Sequence, residues 1–219
     1  MNIKLTLIPV AAIAGFGSFV AFHPGIAYAE PTQGAQIKPA QIATTGNYTI
    51  DPMHTSIYFQ INHMGLTNVH GRFGKFEGKI VQNADLSRSS VHFTAQTDSI
   101  DTNVAPRDTH LKSRDFFEVE KYPTLNFKST KIGKWGDGYV AVGDLTIKDV
   151  TKQVRIPFKY YGPLAGGGDQ PERIGIIAEP IVINRRHFNV NYGNNLPNGV
   201  PAIGNYVTIR LAVEATRDK

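Results

Sequence analysis

The stretch HTSIYFQINHM, residues 54–64, alternates with a period of two. Ile57, Phe59 and Ile61 share one face; Tyr58, Gln60 and Asn62 share the other. Successive side chains of a strand point to opposite faces, so the spacing predicts a half-buried strand. The same alternation returns in Val91, Phe93 and Ala95, in Leu125 and Phe127, along Tyr139–Ile147, and in Val154, Ile156 and Phe158. Ile174–Ile183 and Tyr206–Val213 complete the set, the latter with Val207, Ile209, Leu211 and Val213 on one stripe.

Turn signals separate these runs. Gly136-Asp137-Gly138 fits a tight hairpin, Lys148–Gln153 a polar turn, Gly166–Asp169 a flexible link and Asn194–Gly204 a longer loop. Only Pro106–Phe117 reads as a short helical segment, and Pro123 keeps it from running on. Seven or more strands with hairpin links and one short helix predict an all-β, antiparallel domain. An eight-stranded barrel would leave no open edge, and its interior is either filled by side chains or holds one small ligand.

Outward from the strands, Glu30–Asn47 is polar and rich in Pro and Gly, and is expected to be a flexible leader (30–47) before the domain (48–217). Met1–Lys4 is charged, Leu5–Phe22 is apolar or small, and Ala27-Tyr28-Ala29 fits a small-x-small cleavage site. That order predicts a signal peptide over 1–29 and a periplasmic or secreted mature chain of 219 − 29 = 190 residues. The apolar run is also about long enough for a membrane anchor, although Pro9, Gly15 and Gly17 interrupt it.

The chain has no cysteine, which excludes disulfides, thiolate nucleophiles and Cys-ligated metals. Its net charge is +5, and +4 without Lys4, with no run of five basic residues. A nucleic-acid partner is therefore not expected, whereas transient contact with an anionic membrane surface is compatible with the charge.

Carrying the inward parity along each strand gives Ile57, Phe59, Ile61, Phe93, Phe127, Val142, Phe158 and Leu211 as cavity-lining candidates. The pattern alone equally fits a solid core. His63 continues the parity of Ile57, Phe59 and Ile61, so it is a candidate for a ligand head group or for a backbone carbonyl. Arg107, Asp108, His110, Phe116, Phe117 and Arg185 are candidates for a rim beside the barrel mouth; for Arg107 and Asp108, with Arg114 and Asp115, local pairing that caps and pins the helical segment is the favoured reading. The histidines show no metal-ligand spacing, and no metal or cofactor is expected. No nucleophile elbow is present, and the glycines at 65, 71, 74 and 78 follow a strand, as bends do, instead of opening a helix as a phosphate loop would.

Three stretches carry a family resemblance: DPMHTSIYFQINHMGLTNVHGRFGKFEG (51–78), DSIDTNVAPRDTHLKSRDFFEVEKYPTLNFKST (98–130) and GDLTIKDVTKQV (143–154). In order and spacing they resemble the YceI-like family of exported lipid-binding proteins. The resemblance implies an eight-stranded, antiparallel, lipocalin-like barrel whose long cavity holds the tail of an isoprenoid lipid or isoprenoid quinone. Catalysis is not an established property of that family, so no enzyme is expected. Where the family often shows Ile-Asn-Arg-x-Asp-Phe-Gly, this chain has His187 and Asn189 in place of the Asp and Gly, and Asn205-Tyr206 stands where an acidic pair is common.

Three readings follow. The favoured one is a carrier for an isoprenoid lipid or quinone. The others are an enzyme acting on a lipid or small apolar substrate, with His63 and a nearby carboxylate as its first candidates, and a packed secreted domain without a ligand.

Overall fold

A computed structural model describes residues Ile37–Lys219. The expected signal peptide and the first residues of the expected leader lie outside the described residues. The strands are β1 (Gly46–Ile50), β2 (Ser56–His63), β3 (Thr67–Phe73), β4 (Phe76–Gln82), β5 (Ser90–Gln96), β6 (Ile100–Asp101), β7 (Thr124–Trp135), β8 (Gly138–Ile147), β9 (Val150–Leu164), β10 (Arg173–Ala178), β11 (Ile181–Asn184) and β12 (Ile203–Arg217). One α-helix, α1 (Ala105–Lys112), lies between β6 and β7.

These strands form eight staves. β1 pairs with β4 and β2 with β3, so β1–β2 and β3–β4 are two long staves, broken at 51–55 and 74–75. β6 continues β5, since β5 pairs with β4 and β6 with β3. β10 and β11 both lie against β12. Each stave is thus antiparallel to the next in the chain, and β12 closes the ring against both β1 and β2. The result is the expected closed, eight-stranded antiparallel barrel.

Hairpin chemistry sets several links. Gly136 takes a positive φ of 56° in the β7–β8 turn, where glycine carries no β-carbon penalty. The link between β8 and β9 is shorter than expected: Lys148, at φ 55°, and Asp149 make the turn, and the polar residues 151–153 already belong to β9, exposed on its surface. The helix is also shorter than the expected Pro106–Phe117. Pro106 sits in its first turn, where a missing N–H costs nothing, and Ser113 ends it in an extended conformation with its hydroxyl on the His110 carbonyl.

One end of the barrel is closed by tyrosines. Tyr48, Tyr139 and Tyr160 are almost fully buried, with Tyr139 stacked on Phe158 at 5.6 Å. The end of the leader, residues 37–45, is seated there instead of hanging free. The Ala40 amide donates to the Tyr160 carbonyl (2.8 Å), the Ile42 amide to the Tyr139 hydroxyl (2.7 Å), and Ala40 and Ile42 pack on the core. A second apolar cluster, with Phe73, Ala95, Phe116, Leu125, Ile147 and Phe188, lies toward the α1 end.

Candidate functional site

Between these two clusters the barrel encloses a cavity of about 810 Å³. The stripes that predict strands also build its wall. Ile57, Phe59 and Ile61 come from β2; Val207, Ile209, Leu211 and Val213 from β12; Val154, Ile156 and Phe158 from β9. Many of these side chains are only half-buried although they point inward, because they face the cavity and not a neighbour. A solid core would bury them. The volume lies in the upper part of the ~300–1,000 Å³ range of small-molecule sites.

The cavity is polar at one end. Asn62, His63 and Thr67 come from the β2–β3 hairpin, Thr102, Arg107 and His110 from the α1 region, and Arg185 and Tyr192 from the segment before β12. Among the described residues, no Asp or Glu lines the cavity. β3 pairs with β6 only at Arg72 and Phe73, so Thr67–Gly71 have a strand partner on one side alone. Pro106, Arg107, His110 and Leu111 of α1 line the cavity at this end.

Local bonds fix this end. Arg185 is 4 % exposed and donates three hydrogen bonds to backbone carbonyls: Nε to Gly204 (2.8 Å), Nη1 to Val190 (2.6 Å) and Nη2 to Ile203 (3.2 Å). Burial holds its guanidinium below its ordinary pKa, and the neighbouring Arg186 adds to the effect. Arg107 donates from Nε to the Thr102 hydroxyl (2.7 Å) and from Nη2 to the Thr102 carbonyl (2.9 Å). His110 Nε2 lies 2.8 Å from Asp115 Oδ2, and its ring meets Phe116 at 5.1 Å and Tyr192 at 4.7 Å, both edge-on. Phe117 packs edge-on against Phe73 at 5.8 Å.

Of the residues expected along the cavity, Ile57, Phe59, Ile61, His63, Phe93, Phe127, Phe158 and Leu211 line it. Val142 does not. Ala141, Leu145 and Ile147 carry the inward parity of β8, and Val142 points the other way, between its cross-strand partners Lys131 and Arg155. Of the expected rim, Arg107, His110, Phe116, Phe117 and Arg185 reach the cavity. Asp108 does not: its carboxylate accepts from the Thr102 amide (2.9 Å) and hydroxyl, pinning the start of the helix. Tyr192, Asn62, Thr67 and Thr102 belong to the polar end without having been expected there. Tyr192 lies in a loop with no periodicity to mark it.

Asp51, His54 and Glu214 bring ligand-type atoms within 4.8 Å of one another at the break between β1 and β2. Arg173 bonds both carboxylates, Asp51 at 3.3 Å and Glu214 at 2.5 Å, so a guanidinium already supplies the positive charge that a cation would bring.

A closed antiparallel barrel around a large apolar cavity with one polar end defines a lipocalin-like binding barrel. The chain belongs to the YceI-like family, whose domain matches residues 48–215. A UPF0312 protein of Serratia proteamaculans is 40% identical over 143 residues, covering 64% of this chain and 72% of that protein. One from Photorhabdus laumondii is 41% identical over 126 residues, covering 56% and 66%. Among solved structures, BcnA of Burkholderia cenocepacia superposes with a TM-score of 0.64 at 22% identity, covering 76% of this chain and 99% of BcnA. A polyisoprenoid binding domain from Saccharophagus degradans gives 0.60 at 13%, covering 78% and 98%. The YCEI protein of Campylobacter jejuni gives 0.59 at 26%, covering 72% and 90%.

Proposed function

We propose that this chain is an exported carrier that holds an isoprenoid lipid or isoprenoid quinone in its barrel, tail inward and head group at the polar end. The observation that carries the reading is the 810 Å³ cavity with a wall of aliphatic and aromatic side chains. Each buried CH₂ contributes roughly 0.8 kcal/mol, so a tail of some ten buried carbons binds on hydrophobic burial alone, with few polar contacts. The polyisoprenoid binding domain from Saccharophagus degradans shares the fold, which supports the tail chemistry. The charged N-terminal start, apolar stretch and Ala27-Tyr28-Ala29 support export to the periplasm or beyond the cell.

A binding role also fits the chemistry of the wall. It offers imidazoles, guanidiniums and hydroxyls, and among the described residues no carboxylate to pair with His63 as acid or base. The test is native mass spectrometry of protein recovered from the compartment to which it is exported, with organic extraction of the same sample. A stoichiometric isoprenoid or quinone is expected. A protein mass without adduct, and no uptake of added isoprenoids, would overturn the reading.

A further inference from the structure

The described part of the chain contains two long stretches without a single Asp or Glu, residues 52–76 and 180–213. They are far apart in sequence but adjacent in the barrel: the first carries β2 and β3, the second β11 and most of β12, and β12 pairs with β2 and β11. One contiguous side of the barrel therefore carries no acid of its own. Carboxylates from outside reach it at three places: Asp101 of β6 on Arg72 (2.9 Å) at one edge, Asp149 on the Asn189 side-chain amide (3.1 Å), and the Asp51–Arg173–Glu214 group at the far end. On its outer surface Tyr58 stands between its cross-strand partners Arg72 and Arg210.

The same side is unusually apolar. Of the thirteen large apolar side chains exposed among the described residues, seven fall in these two stretches. Leu66, at the tip of the β2–β3 hairpin, is 84% exposed with Met64 beside it, and Tyr206 is 67% exposed on β12. This tip adjoins the polar end of the cavity, to which the flanking His63 and Thr67 contribute.

We propose that this side, with the hairpin tip leading, is the surface by which the barrel docks on a bilayer containing anionic lipid. Basic residues free of acidic neighbours are drawn to an anionic surface, and protruding apolar and Tyr side chains insert at head-group depth. The inference rests on the carrier reading for its purpose: an apolar ligand leaves and enters the cavity from a membrane, so the polar mouth must face one. An acidic soluble partner would use the charge but gain little from Leu66 projecting at the tip.

The test is flotation of the full chain with phosphatidylcholine vesicles, with and without about one third phosphatidylglycerol. Leu66→Asp, Arg210→Glu and Lys131→Glu are compared; the last reverses an exposed charge on β7, across the barrel. Residues 1–36 are common to all variants, so differences between them report on the docking side. Binding to the anionic vesicles is expected, falling at high salt and reduced tenfold or more by Leu66→Asp and Arg210→Glu but not by Lys131→Glu. Equal binding to neutral vesicles, no binding at low salt, or an equal loss with Lys131→Glu would overturn it. Loss with Arg210→Glu but not with Leu66→Asp would assign the side to a soluble acidic partner and likewise overturn bilayer docking. Both docking variants should still yield extractable ligand; variants that dock but carry none would sink the carrier reading instead.

Discussion

The ring of Phe59 lies across the backbone of Gly71, its cross-strand partner in the β2–β3 hairpin. A β-carbon at position 71 would stand 2.3 Å from Phe59 Cζ, so the absence of a side chain there is what lets the ring lie against the wall. Gly71→Ala should swing the ring into the cavity. The expected result is a loss of about 1–3 kcal/mol in stability by denaturant unfolding, together with reduced retention of the longest ligands. Unchanged retention would show that the ring relaxes elsewhere.

Phe93 and Val142 separate cavity from outer surface. Phe93→Asn places an amide in the apolar wall and should cut isoprenoid retention roughly tenfold or more. Val142→Asp, flanked by Lys131 and Arg155, should leave retention unchanged and the fold intact. Extraction of ligand from both variants, after confirming the β spectrum by circular dichroism, checks the pair.

Arg185 holds the segment before β12 through three carbonyls. Arg185→Ala should cost about 3 kcal/mol and speed hydrogen exchange of amides between 186 and 204. Arg185→Lys should rescue little, because an ammonium cannot span three carbonyls as a planar guanidinium does.

His54 Nδ1 lies 2.8 Å from Asp51 Oδ2. This hydrogen bond is the main cause of two opposite shifts: the His54 imidazole is raised above its ordinary pKa and the Asp51 carboxyl is lowered below its own. The imidazole's contribution to stability is complete below about pH 6.5 and is lost as pH rises through its raised folded value. The carboxyl's contribution is present above about pH 3.9 and is lost as pH falls through its lowered folded value. The pair is therefore strongest between those limits. An NMR titration should place His54 above about 6.5, and Asp51→Asn should return it there.

Tyr160 is 1% exposed, and its hydroxyl has no hydrogen-bond partner among the described residues. The side-chain amide of Gln82 donates to the Thr44 hydroxyl (2.8 Å). Removing an unsatisfied buried hydroxyl should not destabilise, so Tyr160→Phe is expected to raise stability by about 1 kcal/mol in urea unfolding. A drop in stability would reveal a partner for that hydroxyl.

The barrel was legible because its strands alternate cleanly. Val207, Ile209, Leu211 and Val213 leave no choice of face, and all four line the cavity. β8 was not so clear. Tyr139, Val140, Ala141 and Val142 are all apolar, so alternation could not say which parity faced inward, and the register shift between Ser129 and Lys131 falls beside Val142. Asp108 follows the local-pairing reading and not the rim reading, but its partner Thr102 could not be named beforehand, because it lies in the preceding loop, where no periodic signal marks it. The seating of residues 37–45 runs through main-chain bonds to Tyr139 and Tyr160, which a polar sequence rich in Pro and Gly does not announce. What patterning could not decide, cavity against solid core, depends on how completely inward side chains fill the space between staves, a volume and not a pattern.

β12 holds four other strands: β1 and β2 on one flank, β10 and β11 on the other. It is also the last strand of the barrel to leave the ribosome. Until it arrives, the first and seventh staves present bare edges and the future cavity is an open, greasy trough. Ring closure joins residues 140 or more positions apart, Thr49 with Thr216 among them, so it is slow and comes late. Under the proposed export this delay would help a chain that crosses a membrane unfolded, because the barrel has no means to seal itself before its final strand is free to pair.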